Sequence, residues 1–266
     1  MEMIAIIAEK PSLARNIVAG IGKMDKKNGY FENSDYIVTW AFGHLFSLCD
    51  IEDYTGGDGN SKWTLDNLPC FPEKFRFKLK KDTTGSGDGV ERQFDTIKKL
   101  LNRDDVTKIV NAGDSDREGE IIIRLCIINA LKTEKPIYRL WLPDQTPETV
   151  SSALREMRED GFYDNLADEG FSRTYIDWLY GVNLTRYATI KTGQLLRVGR
   201  VIVPIVKAIY DRDMQIENFK PEIYFALVSK AETNGEVVEL TSSYTFKETE
   251  EAKAIKCCER MNALEA

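Results

Sequence analysis

The chain has 266 residues, 42% hydrophobic and 30% charged, with a formal net charge of −7. No apolar run approaches the ~18 residues of a membrane span, Met1 to Ala8 lacks the basic start of a secretory signal, and the five cysteines form no CxxC pair. These features argue against a membrane protein, a zinc ribbon or a disulfide scaffold; a cytoplasmic compartment is expected, and the acidic balance speaks mildly against a nucleic-acid binder taken whole.

In chain order, Met3 to Ala8 (MIAIIA) predicts a short buried strand ending in Glu9-Lys10-Pro11-Ser12, and Leu13, Ile17, Val18 and Ile21 predict a helix over about 12–21. A strand near 35–41 leads into Gly43-His44-Leu45-Phe46. The following polar passage contains Thr55-Gly56-Gly57 and Thr84-Gly85-Ser86-Gly87 and is expected to form surface loops. Within it, Trp63 joins no apolar stripe and stands beside Lys62, which makes it a candidate for stacking on a nucleic-acid base. A helix near 90–101, a strand at 106–112, a helix near 119–131 and a strand near 137–142 complete an alternation that predicts an α/β domain with a mostly parallel sheet over 1–145. From 146 to 219 the pattern is helical, with Pro147 in a first turn and Phe171, Tyr175, Trp178 and Val182 on one stripe. Residues 220–266 read as the start of a β-rich domain, in which runs at 223–233 and 236–244 are joined by Asn234-Gly235, a type I′ hairpin signal, before a helix near 248–261.

The segment Asn111 to Glu120 (NAGDSDREGE) places carboxylates where a buried strand ends and a helix begins. Asp114 and Asp116 share a side if the chain stays extended, Glu118 follows as the turn tightens, and hard oxygen ligands gathered in this way suit Mg2+. The bare DxDxE spacing is unspecific in a chain this acidic, and a solvated loop capping a helix is the plain alternative. If the strands at 3–8 and 106–112 are adjacent and parallel, Glu9 joins this cluster at their carboxyl ends. Basic charge is concentrated elsewhere. Between Arg173 and Arg212 seven basic residues stand against two acids, a strip suited to a phosphate backbone.

EKPSLAR at 9–15 together with GDSDREGE at 113–120 resembles the Toprim domain of type IA DNA topoisomerases, and the EKPS form is more similar to bacterial topoisomerase III than to topoisomerase I. TWAFGHLFSL at 39–48, DWLYGVNLTR at 177–186 and Val198-Gly199-Arg200-Val201 agree with that resemblance. It implies a Toprim catalytic domain at 1–145, an incomplete helical DNA-binding domain at 146–219 and the start of a β-rich arch at 220–266. It implies Glu9 as proton carrier, Lys10 as stabiliser of charge on the phosphate, and Glu9, Asp114, Asp116 and Glu118 as Mg2+ ligands. It also implies single-stranded DNA bound by Trp63, Trp178, Arg186, Arg197, Val198, Gly199, Arg200, Val201 and Ile202. On the residues alone, Trp178 at helical spacing is ordinarily a core residue, and His44, the lone histidine, is as compatible with a structural imidazole as with a base.

Two departures from the family pattern stand out. Where the family continues Gln-Thr-Pro, this chain has Ile202-Val203-Pro204, and none of its 11 tyrosines is followed by Pro-Arg, the setting of the family's nucleophile. The chain is therefore expected to be the N-terminal part of a longer enzyme, to act with that enzyme's remaining domains, and to be inactive alone. The implied reaction is Mg2+-dependent breakage and rejoining of single DNA strands. Another Toprim enzyme, such as a primase or nuclease, or a non-catalytic nucleic-acid-binding protein are the alternatives.

Overall fold

An apolar strand with no polar alternation needs both faces covered, and the segment at 3–8 is buried in that way. The structure, a computed structural model, describes residues 2–56, 62–81 and 89–262. In chain order the elements are β1 (Met3–Ala8), α1 (Pro11–Ile21), β2 (Asp25–Lys27), β3 (Tyr30–Glu32), β4 (Tyr36–Trp40), β5 (Phe46–Leu48), α2 (Ile51–Thr55), β6 (Phe77–Leu79), α3 (Gly89–Leu101), β7 (Val106–Ala112), α4 (Arg117–Ala130), β8 (Ile137–Arg139), α5 (Pro147–Ala153), β9 (Arg158–Glu159), α6 (Asp164–Thr192), α7 (Ile202–Glu217), β10 (Tyr224–Thr233), β11 (Glu236–Lys247) and α8 (Glu251–Asn262).

Seven strands form one sheet in the order β2-β3-β4-β1-β7-β8-β9. Its four central strands β4, β1, β7 and β8 are parallel, and the edges are antiparallel. Ala5, Ile7, Ile37 and Ile109 face one core with α3 and α4, whereas Ile6, Ala8, Val38 and Val110 face a second with α1 and α5. The expected α/β class and parallel sheet are therefore present. β1 and β7 are immediate neighbours, from Met3↔Val106 to Ala8↔Ala112, so Glu9 and the acidic segment leave the sheet side by side.

The passage after β4 is more ordered than a surface loop. Its described part contains β5, α2 and β6, and it packs on α6 through Ile51, Cys70 and Trp178. Gly56 takes the left-handed conformation, φ 78°, that ends α2; Gly57 and residues 84–87 lie outside the described residues. The strand expected to reach 142 stops at Arg139, and the stretch read as helical from 146 is interrupted by β9.

The described residues fall into two compact units, 1–203 and 204–266. The second holds most of α7, the β10–β11 hairpin and α8. The hairpin turns at Asn234 (φ 55°) and Gly235 (φ 82°), the two positive φ values that a type I′ turn requires.

One close approach fixes the turn between β7 and α4. A Cβ on Gly113 would stand 2.1 Å from the Gly119 carbonyl oxygen, and one on Gly119 would stand 2.4 Å from the Asp114 backbone. Backbone cannot yield as a side-chain tip can, so Gly119→Ala is expected to cost about 3 kcal/mol or more. Chemical denaturation of the purified protein checks this, and an unchanged midpoint would contradict the packing described.

Candidate active site and nucleic-acid surface

The carboxyl ends of β1 and β7 bring the first group of predicted residues together. Glu9 follows β1 directly, and one of its oxygens, Oε2, accepts the Asp114 amide at 3.1 Å. Lys10 is the extended residue before Pro11 starts α1, and its Nζ donates to Asp114 Oδ2 at 2.5 Å. Burial, opposed by the Asp114 amide but reinforced by the Asp114 and Asp116 charges, holds the Glu9 carboxyl above its ordinary value. The hydrogen bond to Asp114 pushes Lys10 the opposite way, further into its cationic form. A carboxyl biased toward its protonated form therefore stands beside a fixed cation.

The other acids have partners of their own. Asp116 caps α4 by accepting the Gly119 amide at 2.8 Å. Glu118 lies 3.2 Å from Arg173 and 3.5 Å from His44. The His44 imidazole is held below its usual pKa, first by burial and then by Lys80. Among the described residues no three acid, histidine or cysteine groups converge closely enough to grip a metal as they stand. One observation still fits a hard cation at this position: Asp114 Oδ1 is buried with no hydrogen-bond partner, and the surrounding donors are carboxylate oxygens, the ligand type Mg2+ takes.

Beneath these groups lies a network that sequence reasoning missed. Arg139, 1% exposed at the end of β8, pairs with the fully buried Glu120 at 2.7 Å. Its guanidinium also donates to the carbonyls of Gly113 at 2.9 Å, Leu140 at 2.7 Å and Asp114 at 2.8 Å. Glu120 accepts a second guanidinium, Arg124 at 2.6 Å, which continues to Asp160 and Asp164. Asn111 donates to Glu120 and Asp160 and accepts the Gly113 amide. The backbone carrying Asp114 is thus held from below by an arginine each of whose guanidinium nitrogens is hydrogen-bonded. In Ile137-Tyr138-Arg139-Leu140 the only signal was an arginine in an apolar strand.

The predicted DNA-binding residues divide. Trp178 is a core residue, as its helical spacing alone suggested: it is 9% exposed, donates Nε1–H to the Cys49 carbonyl at 3.0 Å and packs against Tyr54 and Phe75. It presents no ring for a base. Arg186 is also 9% exposed and is paired through both terminal nitrogens with Glu52 at 2.5 and 2.7 Å, so its charge is neutralised within the protein. The pair lowers the Glu52 pKa in turn. Trp63 covers that guanidinium at 4.9 Å and borders a cavity of about 560 Å³ with Lys62, Thr189 and Ile190. Arg200 bonds Asp177 at 2.6 Å, whereas Arg197 is exposed and makes no ion pair among the described residues. Val198 is tied by its amide to Thr185 at 2.9 Å, Gly199 has open space where a Cβ would go, and Val201 and Ile202 expose apolar side chains. The basic strip therefore carries less free charge than its composition suggests, because Arg173, Arg186, Arg200 and Lys207 each have a carboxylate partner.

Comparison with known proteins gives matches along most of the chain. The Toprim domain family matches residues 4–144, and a DNA topoisomerase family matches residues 161–264. The chain is 40% identical over 228 residues to DNA topoisomerase 3 of Bacillus cereus strain ATCC 14579, covering 85% of this chain and 30% of that protein. It is 40% identical over 223 residues to DNA topoisomerase 3 of Bacillus anthracis, covering 84% and 29%. It is 36% identical over 245 residues to DNA topoisomerase 3 of Staphylococcus aureus strain USA300, covering 92% and 33%. The chain spans about a third of the length of these curated relatives.

Two outcomes test the geometry. Arg139→Met leaves the buried Glu120 with Arg124 as its one remaining cationic partner among the described residues and should cost about 3–5 kcal/mol, while adding Glu120→Gln should recover part of it; denaturation of the single and double variants that gave additive losses would contradict the pairing. The second concerns pH. A carboxyl whose folded-state pKa is raised loses stability relative to its protonated form as pH climbs from the unfolded value, near 4.5, through the folded value. Glu9→Gln should thus match the wild type in melting temperature at acid pH and exceed it by an increasing margin toward neutral pH; a margin that shrank with rising pH would reverse the assignment.

Proposed function

The chain belongs to the Toprim family in a type IA, topoisomerase III-like form, and from that membership we propose that it supplies the proton-transfer and cation-holding part of a DNA topoisomerase acting on single-stranded DNA. One observation carries the reading: Glu9, Lys10 and Asp114 are linked by hydrogen bonds at the carboxyl ends of adjacent parallel strands, with one Asp114 oxygen buried and unpartnered. This is where ligands gather on open α/β sheets.

In this reading Glu9, its carboxyl biased toward the protonated form, protonates the 3′ oxygen leaving phosphorus and takes the proton back on rejoining. Lys10, oriented by Asp114, offsets negative charge that develops on the phosphate. Glu9, Asp114, Asp116 and Glu118 hold Mg2+, which when bound supplies charge neutralisation and alignment at the phosphodiester. For Glu118 this requires release from Arg173, and for Asp116 it requires sharing with the α4 cap. Trp63, beside its cavity, and the exposed Arg197 are the best placed of the residues expected to meet DNA, followed by the segment Val198 to Ile202. None of the 11 tyrosines is followed by Pro-Arg, and in this reading these residues bind DNA and Mg2+ without forming a covalent link.

Calorimetric titration with Mg2+ tests the cation assignment. Asp114→Asn and Asp116→Asn should each weaken binding, because each removes a formal charge from the ligand set. Equal affinity in the wild type and both variants would remove it. Labelled single-stranded DNA incubated with the protein and run on denaturing gels should show no covalent adduct and no cutting; metal-dependent cutting without an adduct would favour a Toprim nuclease instead.

A further inference from the structure

One exposed aromatic on the rim of the acidic site has no role in the mechanism above. Phe42 is 49% exposed although it follows β4, whose interior residues are buried. Its backbone is fastened to the strand that bears the proton carrier, since the Ala41 amide donates to the Ala8 carbonyl at 2.8 Å and the Gly43 amide donates to the Glu9 carbonyl at 3.0 Å. Gly43, with φ 70°, then turns the chain so that His44 lies 3.5 Å from Glu118. Within three residues this segment therefore meets both the Glu9 backbone and the Glu118 side chain, and Phe42 belongs to it.

A single exposed apolar side chain on a protein surface is unremarkable by itself. Here the surroundings give it a purpose. Lys10 stands on the neighbouring strand end, and Lys80 is close enough to depress the His44 pKa, its own amide bonded to the Leu45 carbonyl at 2.8 Å. Cations that can meet phosphates thus lie on segments adjoining the one that exposes Phe42, and basic groups combined with an exposed aromatic bind single strands by stacking. Backbone anchoring on both sides also means that little backbone freedom remains to be lost when a base lands on the ring.

We propose that Phe42 is a positioning residue that stacks on the base adjoining the phosphodiester held at Glu9 and Lys10. The inference rests on the nucleic-acid reading given under Proposed function and adds to it the nucleotide contact that sets the register of the strand over the carboxyl. Stacking is tolerant of base identity, so the contact places the strand without choosing its sequence.

Fluorescence anisotropy with a fluorescein-labelled single-stranded oligonucleotide, and with a set of oligonucleotides each carrying one abasic position, tests this on the 266-residue chain. Phe42→Ala should weaken binding about 5- to 140-fold, the span that base–aromatic stacking covers, with an unchanged salt slope and melting temperature. Phe42→Trp should restore affinity, and one abasic position should make wild type and Phe42→Ala bind equally. Equal binding of wild type and Phe42→Ala to the intact oligonucleotide would overturn the inference and leave the nucleic-acid reading standing. Restoration by Phe42→Leu as complete as by Phe42→Trp would mark a packing effect and overturn it too. Failure of the wild type to bind any of these oligonucleotides would remove the nucleic-acid reading itself.

Discussion

The buried pair between Arg139 and Glu120 is the constraint on which the site depends. Two unit charges removed from water are costly unless their donors and acceptors find partners, and here each guanidinium nitrogen of Arg139 has one, in the Glu120 carboxylate and the carbonyls of Gly113, Leu140 and Asp114. The bonds that satisfy the arginine are the same bonds that fix the path of the acidic turn. Gly113 and Glu120 are thereby tied to β8, and the contact between Gly113 and Gly119 closes the turn against the start of α4. Asp114 then has one direction to point, toward Lys10 and the end of β1.

Electrostatics above the turn follow from that placement. Glu9 is partly removed from solvent, receives only one amide, and lies near two further acids, so its proton is held more tightly than in water. Lys10 gains a carboxylate and keeps its charge. A carboxyl with a raised pKa and a cation within one hydrogen-bonded set suit the general acid chemistry proposed for the phosphodiester. Further out, ion pairs run from Glu118 to Arg173, on to Asp177 and then to Arg200, so the acids of the turn and the basic segment after α6 are electrostatically continuous.

Much of this was legible in the sequence because it rests on strong local patterns. MIAIIA and VTKIVNA could be recognised as buried strands by their apolar runs, and Glu9 and Asp114 could be placed together once those strands were taken as parallel neighbours. Asn234-Gly235 announced its turn by conformational need. What was not legible depends on partners distant in the chain. Asp25–Lys27 carries three charged residues and is a strand only because β3 and β4 pair beside it. Phe77–Leu79 is too short to show a period and is set by its ladder with β5. Charge could be counted but not its neutralisation: Arg186 meets Glu52 across 134 positions and Arg200 meets Asp177 across 23. Trp178 shows the opposite case, in which helical spacing pointed to the core and a family likeness pointed to the surface, and its indole N–H on the Cys49 carbonyl decides for the core.

The central claim is that the ends of β1 and β7 form a cation-assisted phosphodiester site organised around Asp114. Anomalous diffraction from crystals grown with Mn2+, which accepts the same hard oxygen ligands as Mg2+, tests it most directly. The account predicts a peak within coordination distance of Asp114 Oδ1, shared with Glu9 or Asp116. A well-occupied peak elsewhere, or a bound single strand whose phosphates avoid Glu9 and Lys10 in the same crystals, would contradict it.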